Sequence, residues 1–142
     1  MIKQADIVFG NHHVDLRGEV TFVNDFNMSQ VKRFYRIKHF DIETIRGWRA
    51  HKIEQRWFHV FSGAFSVSLV KIDNWEKPSP ELDQQKYVLK STDISVLHIP
   101  AGYASSLQAI NENSEMIVFA DYLIENAEND NYLYPTNYFI GS

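Results

Sequence analysis

Apolar and polar residues alternate along much of this chain with the two-residue period of a half-buried strand. Lys32-Arg33-Phe34-Tyr35-Arg36-Ile37-Lys38 is the plainest case, with Phe34, Arg36 and Lys38 on one face and Arg33, Tyr35 and Ile37 on the other, so that one face is polar enough to look into a pocket. Before it, residues 6–10 and 18–23 read as short strands on either side of a turn-rich stretch, 11–17, that carries His12 and His13 as loop histidines. After it, residues 55–61 and 64–72 predict a hairpin around Ser62-Gly63. Residues 73–81 contain Pro78 and Pro80, which remove ladder donors, and form a loop. Four more strands, 86–90, 95–99, 103–110 and 115–121, are punctuated by Ser91-Thr92-Asp93, Pro100-Ala101-Gly102 and Asn111-Glu112-Asn113. Only residues 123–131 hold helix formers in number, and that stretch is too short and polar for a core helix. Many short strands with regular turn signals predict an all-β antiparallel sandwich or barrel.

Length and charge narrow the reading. The 142 residues fit one domain, 1–142, burying close to ~70% of the surface of the unfolded chain. There is no cysteine, which excludes disulfides and thiolate chemistry. The N-terminal stretch Met1-Ile2-Lys3-Gln4-Ala5-Asp6 lacks the apolar core of a leader, and no run approaches the ~20 apolar residues of a membrane span, so a soluble cytoplasmic protein without membrane partners is expected. The net charge of -4 argues against a nucleic-acid partner. One region departs from it: Arg33, Arg36, Lys38, Arg46, Arg49, Lys52 and Arg56 face only Asp41, Glu43 and Glu54 in the same stretch, an excess that suits a small anionic ligand. Within it, residues 46–63 gather arginines, histidines and tryptophans and are read as the floor and wall of a pocket.

The spacing in that stretch resembles the first cupin motif, in which His-x-His is followed after four residues by Glu and after six more by Gly. The corresponding positions here are Arg49, His51, Arg56 and Gly63. Pro100-Ala101-Gly102-Tyr103-Ala104-Ser105 resembles the second motif, Pro-x-Gly-x-x-His, with Ser105 at the histidine. The resemblance implies an RmlC-like cupin, an all-β double-stranded β-helix or jelly-roll barrel, with a short, mostly irregular C-terminal segment. Three of its four metal-ligand positions are changed. Arginine has no acceptor lone pair and stays protonated, so it cannot ligate a cation, and His51 with Ser105 does not make a metal site. No metal and no other cofactor is expected.

Arg46-Gly47-Trp48-Arg49-Ala50-His51-Lys52, following Lys32-Arg33-Phe34-Tyr35, is similar to the nucleotide-sugar 3,4-ketoisomerases, whose pattern is Arg-Gly-x-His-Ala-His-Lys after an Arg-x-Phe-Tyr type strand. The dTDP-4-dehydrorhamnose 3,5-epimerases look like more distant relatives. The likeness spans roughly residues 6 to 122. Both families place a histidine where this chain has Arg49; the epimerases' lysine corresponds to Arg56, their second-motif histidine to Ser105, and their catalytic tyrosine falls near Ile117. An epimerase working at two carbons needs a base and an acid on opposite faces, so that activity fits poorly. A ketoisomerase needs one base to move a proton between adjacent carbons through an enediol, and His51 is kept.

The resemblance therefore implies a small-molecule nucleotide-sugar substrate, a dTDP-4-keto-6-deoxyhexose, isomerised without a metal in deoxysugar or surface-polysaccharide synthesis. His51 is the expected base, held neutral by Arg49 two residues away. Arg49 is the oxyanion partner, and Tyr35 or Tyr103 the proton donor. Arg33 and Arg46 are expected to grip the diphosphate, with Lys52, Arg56, Tyr103 and Ser105 completing the substrate-binding set. Structural readings stand beside these: His51 as a hydrogen-bonded barrel histidine, Arg46 and Arg49 paired with Glu43 and Glu54, and Arg56 neutralised at the old metal position by a carboxylate such as Asp121. Trp48, Trp57 and Phe58 fit core or interface, and His59 and His98 fit structure. The alternative function is a non-catalytic cupin that binds a sugar nucleotide or regulates a sugar enzyme, favoured by Arg49 and Ser105; a pure assembly module is a third. The short N-terminal strands leave edges to cover, and a homodimer is expected.

Overall fold

The computed structural model of the chain describes residues 4–142; Met1-Ile2-Lys3, part of the stretch read as lacking a leader core, lie outside the described residues. Twelve strands form among them: β1 (Asp6–Phe9), β2 (Asn11–Asp15), β3 (Gly18–Phe22), β4 (Arg33–His39), β5 (Ile45–His51), β6 (Arg56–Ser62), β7 (Ala64–Lys71), β8 (Gln84–Lys90), β9 (Ser95–Ile99), β10 (Tyr103–Ala109), β11 (Ser114–Ala120) and β12 (Tyr132–Leu133). The one α-helix, α1 (Ile124–Ala127), runs into a 3-10 turn, Glu128–Asp130. Two five-stranded antiparallel sheets, in the orders β1-β9-β6-β11-β4 and β12-β5-β10-β7-β8, make up the all-β jelly-roll barrel, and β2 and β3 stand apart as a two-stranded ribbon. No helix among the described residues is long and apolar enough to cross a membrane.

The period-2 pattern sorts side chains as expected. Phe58 and Val60 of β6, Phe65, Val67 and Leu69 of β7 and Met116 and Val118 of β11 meet in one buried cluster between the sheets. The outer face of the second sheet has its own apolar cover: Trp48, Ala50, Val70 and Ala104 pack under Phe139, with Tyr134 and Tyr138 alongside. The C-terminal chain thus works as a strap, and the loop at residues 73–81 holds it, with Tyr138 donating to the Pro78 carbonyl and Ile140 N–H to that of Pro80.

Two local expectations fail. Asn11 to Asp15 is a strand paired residue for residue with β3, so His12 and His13 lie on a ribbon, with His12 Nδ1 2.7 Å from Glu19. The hairpin around Ser62-Gly63 does not form: β6 pairs with β9 and β11 in one sheet, and β7 with β8 and β10 in the other. Gly63, at φ +73, carries the chain from sheet to sheet, and any Cβ there would collide with the Ser114 side chain. A tight glycine turn between two alternating runs serves either connection, and only the partners available across the barrel decide between them. Residues of the stretch read as pocket wall form β5, a strand that the sequence pattern does not predict.

Candidate active site

β5 is the strand that builds the site, and it is irregular. Opposite β10, Ser105 pairs with Arg49 while Leu107 pairs with Arg46, so three steps along β5 match two along β10. The extra residue is a bulge, which resets the alternation and re-aims side chains. Trp48 and Ala50 pack in the outer cluster, while Arg46, Gly47 and Arg49, with an edge of Trp48, line one cavity. Gly47 sits where a Cβ would lie 2.7 Å from Ser106 Cα, so the bulge closes on β10 only with glycine there.

Two adjoining cavities result. The larger, about 470 Å³, is lined by Arg46, Arg49 and Arg56, with Tyr35, Ser105 and Leu107 among its other walls; Arg36 and Lys38 border it from β4, Arg36 bonded to Glu115 at 2.9 Å and Lys38 lying over the Phe40 ring. The smaller, about 370 Å³, contains Arg33, His51 and Glu54 beneath Ile124, Ala127 and Glu128 of the short helical segment. Tyr35 and Arg49 line both.

His51 is 7% exposed, and its Nδ1–H donates to the Asp130 carbonyl at 2.7 Å. That bond fixes the tautomer and leaves Nε2 as a bare lone pair. Burial, then the Arg56 guanidinium and more weakly Arg49, push the ring down to about 4, against the pull of Asp130, so it is neutral near pH 7. Arg49, expected to be the main cause, is the lesser of the two arginines.

Glu54, 2% exposed, accepts from Arg33 Nη2 through Oε1 at 2.9 Å. Its Oε2 lies 3.6 Å from His51 Nε2 and 4.0 Å from Arg56 Nε, beyond hydrogen-bond range of the imidazole. Both Oε2 and His51 Nε2 are buried without a hydrogen-bond partner. Burial raises the Glu54 carboxyl above its ordinary range despite Arg56 and Arg33. Arg56 Nη2 donates to Ser105 Oγ at 2.8 Å, so two of the altered motif positions bond to each other across the barrel. The carboxylate beside Arg56 is Glu54; Asp121 instead accepts from Gln55 N–H at 2.7 Å.

Of the expected site residues, the barrel brings together Arg33, Tyr35, Arg46, Arg49, His51, Arg56 and Ser105. Two stand elsewhere. Tyr103 is 1% exposed inside the main apolar cluster. Lys52 turns outward, its ammonium 5.6 Å from the Trp75 ring centroid. Arg46 does not pair with Glu43; its Nε donates to His39 Nε2 at 3.3 Å. Glu54 and Asp130 escaped the sequence reading as site residues. Glu54 stands two residues before the position where the cupin motif puts its carboxylate, and Asp130 lies in an acidic stretch with no motif at all. Asp130 is nevertheless 1% exposed, and its carboxylate accepts from Lys52, Ile53 and Glu54 N–H at 2.7, 3.0 and 2.8 Å, shaping the turn that presents His51 and Glu54. His98 stacks on Trp57 and His59 bonds the Ser95 carbonyl, both structural as expected.

The sequence profile described as "FdtA: WxcM-like, C-terminal" matches residues 4–141. The chain belongs to this family. No curated protein matches it in sequence. Solved structures similar to this WxcM-like chain are RmlC-like cupins at low identity. A 3,4-ketoisomerase from Helicobacter canadensis superposes with a TM-score of 0.72 at 17% identity, covering 95% of this chain and 94% of the other. A mutant of the 3,4-ketoisomerase QdtA from Thermoanaerobacterium thermosaccharolyticum, in complex with TDP-4-keto-6-deoxyglucose, gives 0.73 at 17%, covering 98% and 94%. The dTDP-4-dehydrorhamnose 3,5-epimerase of Bacillus anthracis, with TDP and pyrophosphate bound, gives 0.74 at 16%, covering 94% and 79%. The shared property at these identities is the fold of the WxcM-like barrel.

Proposed function

We propose that this chain is a metal-independent 3,4-ketoisomerase acting on a nucleoside-diphosphate 4-keto-6-deoxyhexose, as a two-fold dimer, in the synthesis of an unusual deoxysugar. The observation that carries the reading is the bare Nε2 of His51, buried at the wall of one cavity and joined through Tyr35 and Arg49 to a second cavity lined by cations. The larger chamber takes the diphosphate on Arg46, since guanidinium forks bind phosphate oxygens in pairs. The sugar then reaches past Tyr35 and Arg49 to His51. Its Nε2 removes the proton at carbon 3, which is acidified by the neighbouring ketone, and Arg49 faces the negative charge that collects on the carbonyl oxygen. The same ring returns the proton at carbon 4, leaving the ketone at carbon 3. The TDP and TDP-4-keto-6-deoxyglucose held by the similar structures have the size and charge of such a ligand.

The competing reading, a cupin that binds the sugar nucleotide without turning it over, draws on one feature: Arg49 and the Arg56–Ser105 bond occupy motif positions that carry histidines and a carboxylate in relatives. Proton NMR of dTDP-4-keto-6-deoxyglucose in deuterated water separates the two. Deuterium at carbon 3 with growth of the 3-keto product is expected, and its loss in His51→Asn with dTDP affinity unchanged. Line broadening without exchange over hours rejects the isomerase and leaves the binding protein.

A further inference from the structure

A 3,4-ketoisomerisation moves two protons, and the isomerase reading accounts for one. The carbon-bound proton travels from carbon 3 to carbon 4 on His51. The hydroxyl proton must also leave oxygen 3 and arrive at oxygen 4, and His51 Nε2 cannot hold both at once.

We infer that Glu54 is a second catalytic residue, the acid that carries the hydroxyl proton from one sugar oxygen to the other while His51 carries the carbon-bound one. This rests on the isomerase reading. Its physical basis is the gap between the two side chains. With Nδ1–H given to Asp130, His51 Nε2 is an acceptor; Glu54 Oε2 is another; they face each other at 3.6 Å, buried and unpartnered. Two lone pairs opposed in a buried site repel unless a proton stands between them. The pair therefore holds one exchangeable proton at the wall of the smaller cavity.

The surroundings decide where that proton rests. Arg33 from β4 and Arg56 from β6 favour the Glu54 anion, while burial and the nearby Asp121 at the end of β11 disfavour it. On the histidine side, burial, Arg56 and Arg49 oppose the imidazolium and Asp130 favours it. Burial is the largest influence on both, and it opposes the charged form of each: the imidazolium on His51 and the carboxylate on Glu54. Arg33 on Oε1 orients the carboxyl so that Oε2 carries the proton into the cavity.

The step balances. His51 Nε2 takes the proton from carbon 3; the C–H pair becomes the C3=C4 bond, and the carbonyl π pair goes to oxygen 4, which takes the Glu54 proton to give the enediol. The Glu54 carboxylate then removes the proton from oxygen 3 as the C3=O bond forms, and carbon 4 takes its proton from His51. Both groups return to their starting states.

The test uses the full-length protein with dTDP-4-keto-6-deoxyglucose in deuterated water. Glu54→Gln keeps the shape and removes the transferable proton. Exchange at carbon 3 is expected to stay within about tenfold of wild type, because His51 alone makes and quenches the enolate, while 3-keto product falls at least a hundredfold. Glu54→Asp is expected to restore part of the product. Product formation within threefold of wild type in Glu54→Gln overturns the assignment, as does equal loss of exchange and product, which is what disruption of the fold would give. In the free protein, the His51 ring nitrogens are expected to titrate in two steps in wild type and in one in Glu54→Gln. An unchanged single step rejects the shared proton whatever the substrate assay shows. Wild-type protein with no carbon-3 exchange removes the isomerase reading itself, and is told apart from failure of Glu54 by that titration.

Discussion

His51 is held neutral by burial, and that has a consequence for stability. Its folded pKa of about 4 lies below the ordinary imidazole value of 6.5. Between those values the unfolded chain binds a proton that the native ring refuses, so stability falls as pH drops through the window and the deficit is complete below pH 4. The full effect is on the order of 3 kcal/mol, at about 1.4 kcal/mol per pKa unit. Glu54 acts oppositely: burial raises its folded pKa, so the native carboxyl keeps a proton at pH values where the unfolded one has begun to lose it, offsetting part of the loss. Urea denaturation at pH 7.0, 6.0 and 5.0 is expected to show falling stability in wild type and a much flatter profile in His51→Asn; equal slopes would show that the ring titrates normally in the fold. At this scale His51 was legible from its motif. Glu54 was not, because its importance comes from which atom it faces.

At the scale of elements, the turn after β5 depends on a segment nearly eighty residues later. The carboxylate of Asp130 binds three successive backbone amides, and its carbonyl orients His51. Asp130→Ala strands those donors in a buried site at ~1–3 kcal/mol for each that finds no water. A loss of ~3 kcal/mol or more by urea denaturation is expected, together with slower turnover, because the His51 tautomer is no longer fixed. A change below about 0.5 kcal/mol would mean that water replaces the carboxylate at no cost. The strand pattern showed none of this, since the 123–131 stretch is polar and carries no periodic signal. Nor did it show the β5 bulge: by strict alternation Arg46 and Arg49 fall on opposite faces, and only the register slip against β10 turns both to the cavity.

Among the described residues, the ribbon of β2 and β3 lacks internal cover. All of β2 is exposed, as are Val14, Leu16 and Val20 on the ribbon it makes with β3, and Phe9 on the edge strand β1 is 68% exposed. Exposed strand edges with apolar residues recruit a further chain unless something blocks them. The two-fold dimer proposed above covers this end, and light scattering at micromolar concentration is expected to give twice the chain mass; a monomer rejects it. Leu16→Glu with Val20→Glu is expected to shift the protein toward monomer.

Alternation, turn residues and motif spacing determined nine of the twelve strands, all but β2, β5 and β12, together with the barrel class, the basic pocket stretch and His51, because these depend on neighbours a few residues apart. Tertiary structure alone decided that the chain crosses between sheets at Gly63 instead of folding back, that Tyr103 fills the core while Lys52 faces outward, and that Glu54 opposes His51 across a buried gap of 3.6 Å beside Asp130. Those outcomes turn on which strands lie opposite each other in the closed barrel and on how much water closure leaves inside, quantities that belong to residues far apart in the chain.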